Sequence, residues 1–141
     1  MNGASSAVAY TPEEEAFRAE VRRFVGERVE PLAERAESPG PHLRDFLRDL
    51  GARSYLGLSF PTDVGGAGRP FVYEHIASEE FAYASASLAT ARSVSCLFCG
   101  TPIHRFGTPQ QKRRFLAPLV RGTALGAIAI SEPEAGSAVG A

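Results

Sequence analysis

The apolar residues of this chain follow a helical period as far as Gly122 and change pattern only once, directly after it. The run that follows, "TALGAIAIS" at 123–131, alternates weakly and ends before Pro133, which is typical of a short strand. A lone strand leaves its backbone donors and acceptors unpaired, and even a two-stranded hairpin is marginal in water. The pattern therefore predicts a mainly α-helical fold with one short orphan β-strand near the C-terminus.

Two helix starts carry the same capping signal. Thr11 is followed three residues later by Glu14, and Thr108 is followed three residues later by Gln111, with proline at the first helical position each time. A threonine and an acid or amide at this spacing satisfy each other's free backbone donors. We expect the first helix to be ended or kinked at Pro31, although the apolar pattern allows it to continue.

The remaining helices are predicted from their apolar spacing. Gly51 is expected to stop the second helix, Pro70 to open the third, and "YLGLSFPTDVGGAGRP" to form a loop between them. A further helix of small residues covers "SASLATARSVSCLFCG", and Gly122 closes the last one. The residues expected to face inward are Phe17, Val21, Phe24, Val25 and Val29; Leu43, Phe46, Leu47 and Leu50; Phe71, His75 or Ile76, and Phe81; and Phe115, Leu116 and Leu119.

Composition excludes several classes of function. The formal net charge is -1, so no global field attracts nucleic acid or an anionic membrane. No apolar run approaches the roughly 18 residues of a membrane span, and the N-terminus lacks the pattern of a secretory signal. The chain has 2 cysteines, too few for a disulfide framework, so we expect a cytoplasmic location.

Five stretches occur in one order: "TPEEEAFRAEVRRFV", "LGARSYLGLSFPTDVGGAG", "IASEEFAYASAS", "PIHRFGTPQQKRRFLAPLVRG" and "AISEPEAGSAVGA". In that order the chain resembles the N-terminal part of the acyl-CoA dehydrogenase family. The resemblance implies a disordered N-terminus at 1–10, a helical domain at 11–122, and at 123–141 the incomplete start of a middle β-domain. It also implies FAD and the desaturation of an acyl-CoA thioester between Cα and Cβ.

The resemblance also implies which residues face the ligands. The strand and turn after Gly126 lie beside the flavin in that family, and the helix "SLATARSVSCLF" lines the acyl pocket. The implied cofactor-binding residues are Ile128, Ile130, Ser131, Gly136 and Ser137. The implied substrate residues are Ala91, Ser95 and Phe98, which are spaced by four and three on one helical face, together with Ser137.

Two departures from the family follow. Ala138 stands where aspartate normally follows the serine, and the domain that usually carries the catalytic carboxylate is missing. We therefore expect part of an enzyme, inactive by itself, that would be a fragment, a truncated product or one half of a split enzyme. The implied partners are acyl-CoA, a complementary chain with the missing domains, an electron-transfer flavoprotein, and further copies in an oligomer. The alternative is a non-catalytic helical module that binds a protein partner or an acyl-CoA.

Other candidate motifs are better explained as structure. A metal at Cys96 and Cys99 would need two more ligands, and His104 is only one candidate, so buried small side chains are favoured. Adjacent helical residues such as Glu79 and Glu80 point about 100° apart, which disfavours a catalytic pair. "GGAGRP" lacks the phosphate-loop pattern and is predicted to be a tight loop. Surface or packing roles are favoured for His75 and His104, and the basic residues Arg105, Lys112, Arg113, Arg114 and Arg121 are interpreted as a solvated face.

Overall fold

The computed structural model describes residues 9–36, 38 and 40–137, and in this part the chain is mainly helical, as predicted. The expected disordered segment 1–10 and Ala138 lie largely or wholly outside these residues. The α-helices and the turns that join them run in five continuous stretches of the described chain, and a separate 3₁₀ turn (Thr62–Val64) lies in the loop after residue 52. Their α-helical parts are α1 (Pro12–Phe24), α2 (Ala33–Ala36), α3 (His42–Ala52), α4 (Val72–Ala84), α5 (Ala86–Arg92), α6 (Cys99–Phe106), α7 (Pro109–Gln111) and α8 (Ala117–Val120).

Non-α turns join these helices. A π-helical turn (Val25–Val29) and a 3₁₀ turn (Glu30–Leu32) connect α1 to α2, so Pro31 perturbs the first helix without ending it. Two further π-helical turns, Ser93–Phe98 and Lys112–Leu116, connect α5 to α6 and α7 to α8. Each π turn shifts the phase of the residues that follow it, because it holds more residues per turn than an α-helix.

Both predicted capping boxes are present. Thr11 Oγ1 accepts the Glu14 backbone N–H at 3.3 Å, and Glu14 Oε2 accepts the Thr11 N–H at 2.7 Å. Thr108 and Gln111 make the same reciprocal pair, at 3.2 and 2.7 Å. Local sequence therefore fixes where the first and last helical stretches begin.

The core lies between α1, α3 and α4. Phe81 is fully buried, and its ring lies 6.0–6.3 Å from the rings of Phe24, Phe46 and Tyr55. Edge-on and tilted contacts of this kind add to the stabilisation from burial. Most predicted inward residues are buried, and of the alternatives His75 and Ile76 it is Ile76 that is buried, but Phe71 and Phe115 are exposed. Phe71 precedes α4, and Phe115 lies in a π turn, where α-helical spacing does not apply.

A buried ion pair joins the core to the loop after α3. Arg92 and Glu74 are each 1% exposed and pair directly. Arg92 Nε also donates to the Tyr55 carbonyl at 2.9 Å, and Glu74 Oε1 accepts the Ser59 N–H at 3.1 Å. These contacts satisfy both charges and hold the loop against α4 and α5, because buried ions require partners. "GGAGRP" lies in this loop as predicted, and Gly68 N–H donates to the Phe60 carbonyl at 2.8 Å.

Gly51 does not stop the second helix, since α3 continues to Ala52. A Cβ at Gly51 would lie 2.1 Å from the Arg121 carbonyl oxygen, so glycine is required there by close backbone approach. Gly122 closes the last helix with φ of 68°, and a Cβ there would lie 1.9 Å from the Leu47 carbonyl oxygen. The end of α8 thus lies directly on α3.

The predicted strand at 123–131 does not form a strand in the described part of the chain. That segment has no regular secondary structure, and the sole β-type pairing among the described residues is the bridge between Glu132 and Ala135. The physical reason is the one that the sequence indicates, since no neighbouring strand offers a ladder of donors and acceptors. Within the described residues, no helix is both long and apolar enough to cross a bilayer.

Candidate functional site

An apolar groove of about 850 Å³ runs between α6 and the segment 127–130. On the helix side it is lined by Leu97, Phe98, Pro102, Ile103 and Arg105, and Phe71 lies at its edge. Ile128 and Ile130 form much of the opposite wall, 43% and 62% exposed. Apolar side chains exposed together in this way mark a surface that contacts a ligand or another protein surface.

The groove forms because the segment crosses close to the π turn before α6. A Cβ at Gly126 would lie 2.4 Å from the Ser95 carbonyl oxygen and 2.8 Å from Cys99 Cβ, so glycine allows a backbone contact. The Gly126 N–H donates to Ser95 Oγ at 2.9 Å. The segment therefore touches the helix at Gly126, and the groove is lined by the residues that follow, 127–130, and by the helix.

The chemistry of the groove is almost wholly apolar. Arg105 is the sole charged residue that lines it in the described structure, and no carboxylate or histidine does. Cys99 lines the groove and is half-buried, whereas Cys96 is buried. Burial raises the pKa of the Cys96 thiol to about 12, so this side chain stays a neutral thiol. The groove can accommodate an apolar ligand or surface but offers no acid or base.

The predicted cofactor residues are placed in two groups. Ile128 and Ile130 form the groove wall, and Ser131 follows them as an exposed residue. Gly136 and Ser137 follow the turn that the 132–135 bridge closes, and they do not line the groove. A Cβ at Gly136 would have no heavy atom within 4 Å, so its surroundings are open.

The predicted substrate residues are not brought together. Phe98 lies on the groove and is 57% exposed, while Ser95 is 1% exposed beneath the segment. Ala91 borders a separate pocket of about 270 Å³, next to Leu43 and Leu88. The π turn separates them, because the α-helical spacing that places Ala91, Ser95 and Phe98 on one face does not hold across it.

The apolar pattern of the sequence does not indicate most of the helix side of the groove. Leu97, Ile103 and Arg105 line it, and Phe71 was expected to face inward. Arg105 was assigned to a solvated basic face, and it is indeed exposed. The signal that was available is Gly126 before an apolar run, which is typical of a segment in close contact with another backbone.

The other candidate motifs lie apart from the groove. Glu80 is held by Arg18 Nε at 2.7 Å and Arg22 Nη2 at 2.8 Å, and Glu79 is more exposed, so the two carboxylates have separate environments. The His104 ring packs 5.5 Å from that of Phe60, with its buried Nδ1 lacking a hydrogen-bond partner. No group of three or more metal-ligating side chains occurs in the described part of the chain.

The model of the "Acyl-CoA dehydrogenase, N-terminal domain" family matches residues 11–123. Two similar proteins are a probable acyl-CoA dehydrogenase of Bacillus subtilis, YngJ, at 32% identity over 92% of this chain, and the mitochondrial isovaleryl-CoA dehydrogenase of Solanum tuberosum, at 31% over 96%. The matches cover 34% and 33% of those proteins, so the chain spans about a third of their length.

Solved structures give the same fold. An acyl-CoA dehydrogenase from Bacillus anthracis, complexed with FAD, superposes on 96% of this chain with a TM-score of 0.84 and 26% identity, over 23% of its own chain. A glutaryl-CoA dehydrogenase from Mycobacterium smegmatis superposes on 94% of this chain with a TM-score of 0.80 and 27% identity, over 34% of its own chain.

Proposed function

Because the chain belongs to the acyl-CoA dehydrogenase family, we propose that it supplies the helical domain and one wall of the active site of an FAD-dependent acyl-CoA dehydrogenase. The observation that carries this proposal is the apolar groove between α6 and segment 127–130. The remaining walls come from polypeptide beyond the described residues, in the same or in a complementary chain.

The groove suits an acyl chain. Its volume of about 850 Å³ lies within the range of small-molecule sites, about 300–1,000 Å³, and its lining is nearly uncharged. Phe98 would contact methylene groups and exclude water from the Cα–Cβ bond. Ala91 and Ser95 are more distant, so their substrate role would be through the helix that they help to pack.

The segment also fits one part of FAD. The exposed side chains of Ile128 and Ile130 offer an apolar surface for a ring system, and Ser131, which follows them, offers a hydroxyl and a backbone N–H. Gly136 and Ser137 offer backbone and hydroxyl donors in open surroundings, where a phosphate could approach. When bound, FAD supplies the acceptor for the hydride that leaves Cβ.

The groove does not hold the base that this reaction needs. Removal of the α-proton requires a carboxylate or a similar group within hydrogen-bonding distance, and the described lining has none. The arginine at the groove, Arg105, cannot accept a proton at neutral pH. We therefore expect the 141-residue chain to bind and orient, and to be inactive by itself.

The proposed partners follow from the same assignment. They are an acyl-CoA, the polypeptide that carries the middle and C-terminal domains, an electron-transfer flavoprotein as electron acceptor, and further copies in an oligomer.

A second candidate is a non-catalytic helical module that binds a protein partner or an acyl-CoA. The observation that favours it is the complete core of the helical part, with Phe81, Leu50 and Val29 fully buried without any further domain. A module of this kind would unfold cooperatively by itself and would not recruit flavin under any partner condition.

Reconstitution separates the two candidates. Mixing the chain with a polypeptide carrying the missing domains is expected to give a yellow complex with bound FAD, measured by its absorbance after gel filtration. Ile130→Glu is expected to prevent complex formation by placing a charge on the groove wall. Tyr83→Glu is the matched control, since Tyr83 is also exposed, at 91%, but lies away from the groove. A wild-type mixture that stays colourless would contradict the enzyme proposal.

A further inference from the structure

We propose that Ser95 and Gly126 form a latch that sets the position of segment 127–130 and so makes Ser95 a positioning residue for the groove. The acyl chain and flavin as ligands of the groove rest on the proposed function, but the latch does not. It depends on a contact between two positions that are 31 residues apart in the chain.

The latch has two matched parts. Ser95 is 1% exposed, and its hydroxyl oxygen accepts the Gly126 N–H at 2.9 Å. The missing side chain at Gly126 allows this approach, because a Cβ there would lie 2.4 Å from the Ser95 carbonyl oxygen. Glycine has no side chain, and it is therefore the residue type that lets the backbone at position 126 come close enough to donate to the Ser95 hydroxyl.

The hydrogen bond of the latch is the last one that the segment donates before residues 127–130 form the groove wall. Thr123 and Ala124 N–H groups donate to the Pro118 carbonyl at 3.0 and 3.2 Å, which holds the segment at its start. After Gly126, the N–H groups of 127–131 have no hydrogen-bond partner in the described structure. The direction in which the chain leaves Gly126 therefore decides how far Ile128 lies from the helix side of the groove.

Cys99 provides a reporter for this geometry within the same chain. Its Sγ would lie 3.0 Å from a Cβ at Gly126, so movement of the segment changes its access to solvent. Cys96 provides an internal reference, because it is 1% exposed and burial raises the pKa of its thiol. Alkylation of the two cysteines can be measured separately by peptide mass spectrometry.

The test compares Ser95→Ala with Ser93→Ala in the 141-residue chain. Ser93 belongs to the same π turn, but the Gly126 N–H donates to Ser95 and not to Ser93 in the described structure. Loss of one hydrogen bond is expected to speed exchange of the Gly126 amide by about 2- to 12-fold in Ser95→Ala. Alkylation of Cys99 by N-ethylmaleimide is expected to accelerate by a similar factor, while Cys96 stays unreactive and Ser93→Ala behaves as wild type.

Two further variants change the acceptor and the donor residue of the latch in turn. Ser95→Thr keeps the hydroxyl and is expected to restore slow exchange at Gly126. Gly126→Ala is expected to accelerate Cys99 alkylation more than Ser95→Ala does, because the new Cβ forces the backbone away from the helix. In the reconstituted complex, Ser95→Ala is expected to retain less FAD than Ser93→Ala.

The outcomes are distinguishable. Unchanged exchange at Gly126 and unchanged alkylation of Cys99 in Ser95→Ala would overturn the latch. Faster exchange with normal Cys99 alkylation and normal FAD retention would show a local hydrogen bond without a positioning role, which also overturns the proposal. A wild-type complex that binds no FAD, together with altered Cys99 alkylation in Ser95→Ala, would remove the proposed function and leave the latch standing.

Discussion

The helical region 11–122 and the segment 123–137 place their apolar side chains in opposite ways. Phe81 and Leu50 in the helical region are 0% exposed, whereas Ile128 and Ile130 in the segment are 43% and 62% exposed. The helical region closes its own core and satisfies its buried charges, while the segment contacts the rest of the chain chiefly near its start. The helical region therefore completes its own core, whereas the segment exposes apolar side chains that its contacts in the described structure do not bury.

The largest effect is expected from the buried ion pair of the helical region. Arg92→Met leaves Glu74 buried without its counter-ion. We expect it to lower the free energy of unfolding by a value in the upper half of the range of about 3–5 kcal/mol. Urea denaturation followed by circular dichroism measures it. The double variant Glu74→Leu/Arg92→Met is expected to recover part of the loss, because it removes the unpaired charge. A single variant as stable as wild type would mean that the pair does not matter to the core.

The next prediction compares two phenylalanines, one from the core and one from the groove. Phe81→Ala creates a cavity among Phe24, Phe46 and Tyr55 and is expected to cost at least about 3 kcal/mol. Phe98→Ala is expected to change stability by less than about 0.5 kcal/mol, because its side chain is 57% exposed. Equal losses in thermal or urea unfolding would contradict the distinction between the buried core and the exposed lining of the groove.

A smaller effect is expected at the first helix cap. Thr11→Ala removes the acceptor for the Glu14 N–H and is expected to cost about 1 kcal/mol. Thr123→Ala is the control in the segment, where the threonine hydroxyl donates to the Pro118 carbonyl at 3.2 Å on the exposed surface. That change is expected to stay within about 0.5 kcal/mol. A larger loss at Thr123 than at Thr11 would show that the segment helps to stabilise the helices.

The smallest predicted effect concerns pH. The hydrogen bonds from Arg22, and then from Arg18, hold the pKa of Glu80 below its ordinary value of 4.5. The ion pairs therefore contribute stability that is complete above pH 4.5 and is lost as the pH falls through the lower pKa of the folded state. Thermal unfolding of Glu80→Gln is expected to depend less on pH in this acid range than wild type does. Glu132→Gln is expected to keep the wild-type slope, because Glu132 has no ion pair in the described structure.

The sequence predicted the parts of the fold that local physics determines. The capping boxes at Thr11 and Thr108 and the buried face of α1 depend on residues a few positions apart, and all are present. Gly51 was misassigned as a helix stop because its real constraint, the backbone of Arg121, is remote in sequence. The prediction that Phe115 faces inward is wrong because the local pattern of apolar residues does not indicate the π turn in which it lies.

The candidate site was less predictable for the same reason. The family resemblance drew attention to Ile128, Ile130 and Phe98, and these three residues do line one groove. The groove itself depends on the contact of Gly126 with Ser95. These residues are 31 positions apart, and no rule of sequence spacing links them. Ala91 was grouped with Phe98 by α-helical spacing, and the intervening π turn places it beside a different pocket.

Hydrogen exchange of the isolated 141-residue chain tests most directly whether segment 127–131 needs a partner from outside. Amides of α1 and α4 are expected to be protected, while those of 127–131 exchange close to the rate of an unstructured peptide, because they donate no hydrogen bond in the described structure. Addition of the polypeptide with the missing domains is expected to slow exchange in 127–131. Protection of 127–131 as strong as that of α4 in the chain alone would contradict the account.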